Sequence, residues 1–196
     1  MAVIDIDDLS QEAQSHISAL TSENDRLRKQ VEKLEKIAVE DELTGLLNRR
    51  GFLNSLDNAI SYAHRYSASA CLLFIDLNEF KTINDTYGHK AGDFILKTTG
   101  KRLRGQVRQS DIVGRLGGDE FAILLWHVNK ETAQDRGGKI LDGLCNPLVR
   151  VSRQVDVHIK ASAGVSLLEE NDTADTFLER ADQAMYKSKR RFKQAD

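Results

Sequence analysis

Two β-forming runs, Asp111-Ile112-Val113-Gly114-Arg115-Leu116 and Glu120-Phe121-Ala122-Ile123-Leu124-Leu125-Trp126, flank the glycine pair of Gly117-Gly118-Asp119. Runs of this kind on either side of two glycines predict a hairpin, with the glycines supplying the positive φ that a tight turn requires. A hairpin in the middle of the chain favours an antiparallel sheet. The flanking pattern is mixed: a helix over about 50–64, then an apolar run over 70–76 that ends in a carboxylate and fits a buried central strand. A helix over 91–103 should turn Phe94, Ile95, Thr98 and Leu103 inward. Beyond the hairpin come a helix over 131–144 despite Gly137-Gly138, a strand pair or one long bent strand over 155–168, and an amphipathic helix over 176–193. The order α–β–α–β–β–α–β–α predicts an α+β domain of ferredoxin-like or polymerase-palm type, an antiparallel-containing sheet flanked by helices, which are expected on one face.

The first forty residues obey a different rule. Ile17, Leu20, Asn24, Leu27, Val31, Leu34 and Ala38 recur at alternating spacings of three and four, the a/d seam of a coiled coil. A helix with such a stripe cannot bury it alone. Asn24 at an a position favours a parallel pair in one register, because two facing amides can bond to each other. The expected division is therefore a dimerising helix over 1–40 and a globular domain over 41–196, joined at Asp41-Glu42-Leu43-Thr44-Gly45.

Composition narrows the function. At 40% hydrophobic and 30% charged residues the chain is ordinary for a folded domain, and a net charge of −2 gives no global attraction for a nucleic acid polymer or an anionic membrane. Any phosphate site must be local. Cys71 and Cys145 lack metal-ligand spacing and read as reduced thiols. No run approaches the ~18–20 apolar residues of a membrane span, and the acidic N-terminus is unlike a signal peptide, so a cytoplasmic location is expected.

The chemistry-bearing residues cluster around the two predicted strand ends. Asp76 closes the apolar strand, while Asp119 and Glu120 sit at the hairpin tip; if the strands are neighbours, these carboxylates converge. Converging carboxylates call for a hard cation, and magnesium takes one or two carboxylates together with substrate phosphates. Taken alone, Asp119 and Glu120 read equally well as turn residues. After Asp76, the junction Leu77-Asn78-Glu79-Phe80-Lys81 can aim backbone N–H groups and Lys81 at an anion. Asn84, His89 and Asp93 follow, with Gly88 and Gly92 allowing close approach. The last helix carries Lys187, Lys189, Arg190, Arg191 and Lys193 near its end, a cluster that pairing with the helix dipole would also explain.

Several separate motifs resemble the GGDEF family of diguanylate cyclases over residues 41–193: Asp41-Glu42-Leu43-Thr44-Gly45-Leu46-Leu47-Asn48-Arg49-Arg50, Asn84-Asp85-Thr86-Tyr87-Gly88-His89, Gly92-Asp93 and Arg115-Leu116-Gly117-Gly118-Asp119-Glu120-Phe121. The resemblance implies a palm-like fold, GTP as substrate, magnesium or manganese as cofactor, and cyclic di-GMP plus pyrophosphate as products. It places Asp76, the Leu77 carbonyl, Asp119 and Glu120 at the metal, with Asp119, Glu120 and Arg115 in catalytic roles, Arg115 stabilising developing charge. It implies that Asn84 and Asp93 read guanine, His89 lies beside the nucleotide, and Phe80, Lys81, Lys189 and Lys193 surround the phosphates. Asn78-Glu79 and Phe192 depart from the usual pattern. Arg108-Gln109-Ser110-Asp111 resembles the family's product-inhibition site, where Arg108 and Asp111 would grip cyclic di-GMP. A family member holds one GTP per domain, so a homodimer through the N-terminal helix is expected to bring two together. A catalytically silent receptor for cyclic di-GMP or GTP, or a scaffold, is the alternative.

Overall fold

The computed structural model describes residues 10–152 and 155–195, with side chains as far as Arg190 in the last helix. The chain divides into two compact units, 1–38 and 39–196. In the first, a single helix, α1 (Gln11–Val39), buries none of its residues. Leu20, Leu27, Val31 and Leu34 of the predicted seam are exposed along it, together with Ile37. Among the described residues no helix is long and apolar enough to cross a membrane.

The second unit contains α2 (Arg49–Tyr66), β1 (Ala70–Leu77), α3 (Phe80–Tyr87), α4 (His89–Gly105), β2 (Ile112–Arg115), β3 (Glu120–Trp126), α5 (Lys130–Cys145), β4 (Val149–Ser152), β5 (Val155–Val157), β6 (Ala161–Leu167) and α6 (Ala174–Ala195). Four strands form one sheet in the order β2-β3-β1-β6, antiparallel at every pairing. This is the split βαβ arrangement of ferredoxin-like folds. β4 and β5 pair separately, so the 155–168 region is indeed two strands, but they belong to different sheets.

Helices cover both faces of the sheet, not one. The central strand β1 shows why: all eight of its residues are buried, with alternate side chains entering different cores. Cys71, Leu73, Ile75 and Leu77 join Ile95, Leu96 and Leu103 of α4 and Ile140 and Leu144 of α5. Ala70, Leu72 and Phe74 join Phe52, Leu56 and Ile60 of α2 and Phe177, Leu178 and Met185 of α6. Fully burying each such side chain contributes about 1.5–3 kcal/mol. Within α4, Ile95 and Leu103 point inward as predicted, but Phe94 is exposed. The inward arc runs through Ile95, Leu96, Thr99, Gly100 and Leu103, and Thr98 instead bonds back to the Phe94 carbonyl.

The hairpin forms where predicted, for a different reason. Neither Gly117 nor Gly118 has a positive φ; a Cβ at Gly117 would stand 2.3 Å from Oε2 of Glu120, so Gly117 makes room for a carboxylate. Close approach also fixes α6 on the sheet, since a Cβ on Gly164 of β6 would lie 2.0 Å from the Met185 nitrogen and 2.2 Å from the Ala181 oxygen. Backbone on both sides cannot yield as a side chain can. Gly164→Ala should therefore cost about 1–3 kcal/mol or more, read as a lower urea midpoint at unchanged slope.

Candidate active site

The β1–β3 register sets Asp76 directly opposite Glu120, and the Leu77 N–H donates to the Asp119 carbonyl at 3.1 Å. Residues directly opposite in an antiparallel pair share a face, so the converging carboxylates of the sequence reading meet at one end of the sheet. α6 crosses that face and brings Lys189, whose ammonium donates to Oδ1 of the buried Asp76. Without a nucleotide present, Lys189 pairs with Asp76. Lys193 lies on the same helix with its side chain outside the described residues.

Burial, and then the Asp76 charge, push the Asp119 carboxyl above its ordinary pKa, against the pull of Lys189 and Arg115. Glu120 is raised by burial first, then by Asp119, Asp76 and Asp182, with Arg49 at the start of α2 opposing. Among the described residues no three His, Cys, Asp or Glu side chains form a preformed metal cage. The donor set nevertheless fits a magnesium or manganese ion that completes its coordination with substrate: hard carboxylate oxygens at one sheet end, two of them on carboxyls pushed up by burial and then by neighbouring negative charge.

Arg115 does not face this cluster as a free cation. Its Nη1 donates to both oxygens of Asp41 at 3.1 Å, and its Nε and Nη2 donate to the Gly118 carbonyl at 3.2 and 2.7 Å. In this structure Arg115 ties the tip that carries Asp119 to Asp41. Asp41 in turn accepts from the Thr44 N–H at 2.9 Å and hydroxyl at 2.6 Å. Sequence reasoning missed this connection, since only the fold brings residues 41 and 115 together.

Beyond β1, Gly88 joins α3 to α4 with φ 82, a conformation glycine adopts without strain. A Cβ on Gly92 would fall 1.9 Å from Oδ1 of Asn84, so the Asn84 amide lies against the backbone beside Asp93. Asp93, His89 and Lys81 are exposed, and Phe80 is partly buried against the core. Phe80 thus anchors the turn from below, leaving Lys81 outward. Asn78 is buried, accepts from the Ser162 hydroxyl at 3.0 Å, and has no partner for its Nδ2.

At the second predicted site Arg108 is exposed, whereas Asp111 is 2% exposed. Its oxygens accept from the Arg108 N–H at 2.9 Å and the Trp126 N–H at 3.1 Å, and Arg136 lies 3.3 Å away. Asp111 shapes the turn that presents Arg108.

The family model described as diguanylate cyclase, GGDEF domain, matches residues 38–195. Over 156 residues the chain is 36% identical to the diguanylate cyclase DgcP of Pseudomonas aeruginosa, covering 78% of this chain and 23% of that protein. Over 189 residues it is 35% identical to the diguanylate cyclase TpbB of the same species, covering 96% and 43%. The chain thus spans about a quarter to under half of the length of these relatives. The crystal structure of the coiled coil and GGDEF domain of DgcB from Caulobacter crescentus, in complex with c-di-GMP, matches with a TM-score of 0.84 at 27% identity, covering 92% of this chain and 95% of that one.

Raised carboxyl pKa values have a measurable consequence. Because folding raises those of Asp119 and Glu120, the folded state holds more protons than the unfolded state between the ordinary carboxylate range and the raised values. Stability falls as pH rises through that window. In chelator, Asp119→Asn should melt higher than the parent at pH 7, by no more than about 2–4 °C, and the gap should close near pH 4, about where an unperturbed Asp titrates. Added magnesium should then raise the parent's melting temperature more than the variant's.

Proposed function

The chain belongs to the GGDEF family of diguanylate cyclase domains, and from that premise we propose that it condenses two GTP molecules into cyclic di-GMP and two pyrophosphates. The observation that carries this reading is the meeting of Asp76, Asp119, Glu120 and Lys189 at one sheet end; in α3 and α4, which follow β1, Asn84 lies against Gly92, and with Asp93 we read them as a base-binding notch. Asp93 suits guanine, whose N1–H and amine both donate, whereas adenine offers an acceptor at N1. Asn84 supplies the second polar contact, and His89 lies alongside.

Lys81 and the first turn of α3 receive the phosphates from one side, and Lys189 and Lys193 from the other. Magnesium or manganese held by Asp76, the Leu77 carbonyl, Asp119 and Glu120 would neutralise charge on the transferring phosphoryl group. The 3′-hydroxyl of one GTP attacks the α-phosphate of the other, and the reverse attack closes the ring. Each attack expels pyrophosphate, and the hydroxyl proton passes to a carboxylate of the Asp119/Glu120 pair.

One notch per chain means that two chains must face each other. The exposed seam of α1 supports a parallel homodimer, which raises the effective concentration of one domain at the other. The cyclic di-GMP complex of the matching DgcB structure supports product binding. Here feedback inhibition runs through the exposed Arg108, with Asp111 holding its turn. A domain supplied with GTP and magnesium in this way belongs in the cytoplasm.

Incubation with GTP and magnesium, followed by separation of the nucleotides, should yield cyclic di-GMP, and Asp119→Ala should lower the rate at least about 100-fold. Absence of cyclic product from the parent chain would overturn the reading in favour of a silent receptor. Deleting residues 1–38 should reduce the rate per domain at submicromolar protein and restore much of it as concentration rises. An unchanged rate at low concentration would remove α1 from the mechanism.

A further inference from the structure

Between β1 and α3 the chain places a negative charge where an anion is to bind. Glu79 is the N-cap of α3 and lies in the left-handed region at φ 58, yet its side chain makes no capping hydrogen bond. A carboxylate at a helix N-cap is drawn to the unsatisfied N–H groups of the first turn and to the positive end of the helix dipole. Oε2 of Glu79 instead lies 3.1 Å from Nζ of Lys160, in the segment between β5 and β6. Backbone and side-chain bonds prepare this pairing. The Asn78 N–H donates to the Lys160 carbonyl at 2.8 Å, and the Ser162 hydroxyl donates to Asn78 Oδ1 at 3.0 Å. Three links thus tie residues 160–162 to residues 78–79.

Side chains about half exposed, 46% for Lys160 and 53% for Glu79, make an ion pair of little value to stability. What the pair changes is where the Glu79 carboxylate goes. Resting on the reading above, in which Lys81 and the first turn of α3 receive phosphates, we propose that Lys160 is a positioning residue for the substrate. It holds the Glu79 carboxylate off the α3 N-terminus, cancels its charge, and leaves those amides to the nucleotide. Without Lys160, the carboxylate competes with the triphosphate for the same donors and repels it as a like charge. In a water-exposed site this amounts to about a threefold to tenfold loss of affinity.

Lys160→Met, Glu79→Gln and the double variant, made in the full chain, separate this role from others. Calorimetry with magnesium and either pyrophosphate or a GTP analogue whose α–β phosphate bridge cannot be cleaved gives Kd, and product formation from GTP gives KM and kcat. Lys160→Met should raise both Kd values and KM about threefold to tenfold, with kcat within about twofold of the parent. Glu79→Gln should bind at least as tightly as the parent, and the double variant should return to within about twofold of it, because the charge to be neutralised is gone. Parent-like binding by Lys160→Met overturns the proposal. So does a double variant as weak as Lys160→Met, which would make Lys160 a direct phosphate ligand. A parent chain that binds neither the GTP analogue nor pyrophosphate overturns the reading of the site itself, and this role with it.

Discussion

Asp76 is a carboxylate at the end of an otherwise apolar, fully buried strand, and the surrounding elements are arranged around its charge. The strand register puts Glu120 opposite it and the hairpin tip puts Asp119 beside both. α6 answers the charge with Lys189, and the start of α2 adds Arg49 near Glu120. The elements that supply this compensation are the same two helices that cover this face of the sheet. Electrostatics at the site and packing of the second core are therefore one arrangement, and the crowded carboxyls store an unfavourable charge that a cation relieves.

A charged cluster is useful only if its members stay put, and the hairpin tip is held from outside the hairpin. Arg115 has a side chain only 13% exposed and is paired with Asp41, a setting where ion pairs persist better than on an open surface. Burial tends to raise the Asp41 pKa, but hydrogen bonds from Thr44 and Arg115 outweigh it and hold the carboxyl below its ordinary value. Asp41 thus stays ionised near neutral pH, and Arg115 passes the constraint to the Gly118 carbonyl. Thr44 itself packs against Gly100 of α4, where a Cβ would come within 3.2 Å of the threonine Cβ. The tip is fixed through residues distant in sequence.

How much of this was legible in the sequence follows from the range of each interaction. The hairpin, the central strand and most helices came from local periodicity, and the convergence of Asp76 with Asp119 and Glu120 needed only that two strands be neighbours. The second layer of helices was legible too, but went unread: a central strand apolar at every position has both faces covered, whereas one-sided cover would have left it alternating. Phe94 was misplaced because the inward arc of α4 includes Gly92, Thr99 and Gly100, small or polar residues that an apolar stripe does not mark. β4 was missed because it is short and pairs only with β5. The burial of Asp111 was not legible, because an Arg-x-x-Asp spacing says nothing of burial. The Asp41–Arg115, Lys189–Asp76 and Lys160–Glu79 pairs span 74, 113 and 81 residues, and no local signal announces them.

The two units of the chain meet different physical demands, and the proposed reaction explains why both are present in one polypeptide. The second unit has its apolar strand and helix faces buried in two cores and offers, in the proposed function, one base-reading notch. The first unit is the opposite case, a helix with no buried residue that displays Leu20, Leu27, Val31 and Leu34 to solvent. An isolated helix in water gains little from such a stripe, since its apolar area is still hydrated. A second copy of the same stripe is the partner that matches it in length, spacing and the position of Asn24. Product symmetry points the same way: cyclic di-GMP has two equivalent halves, each made by an equivalent attack, and a two-fold pair of identical domains presents two equivalent substrates to each other. On this reading the seam of α1 and the notch of the globular unit are two parts of one requirement, that the reacting groups be brought together in a fixed and symmetric way.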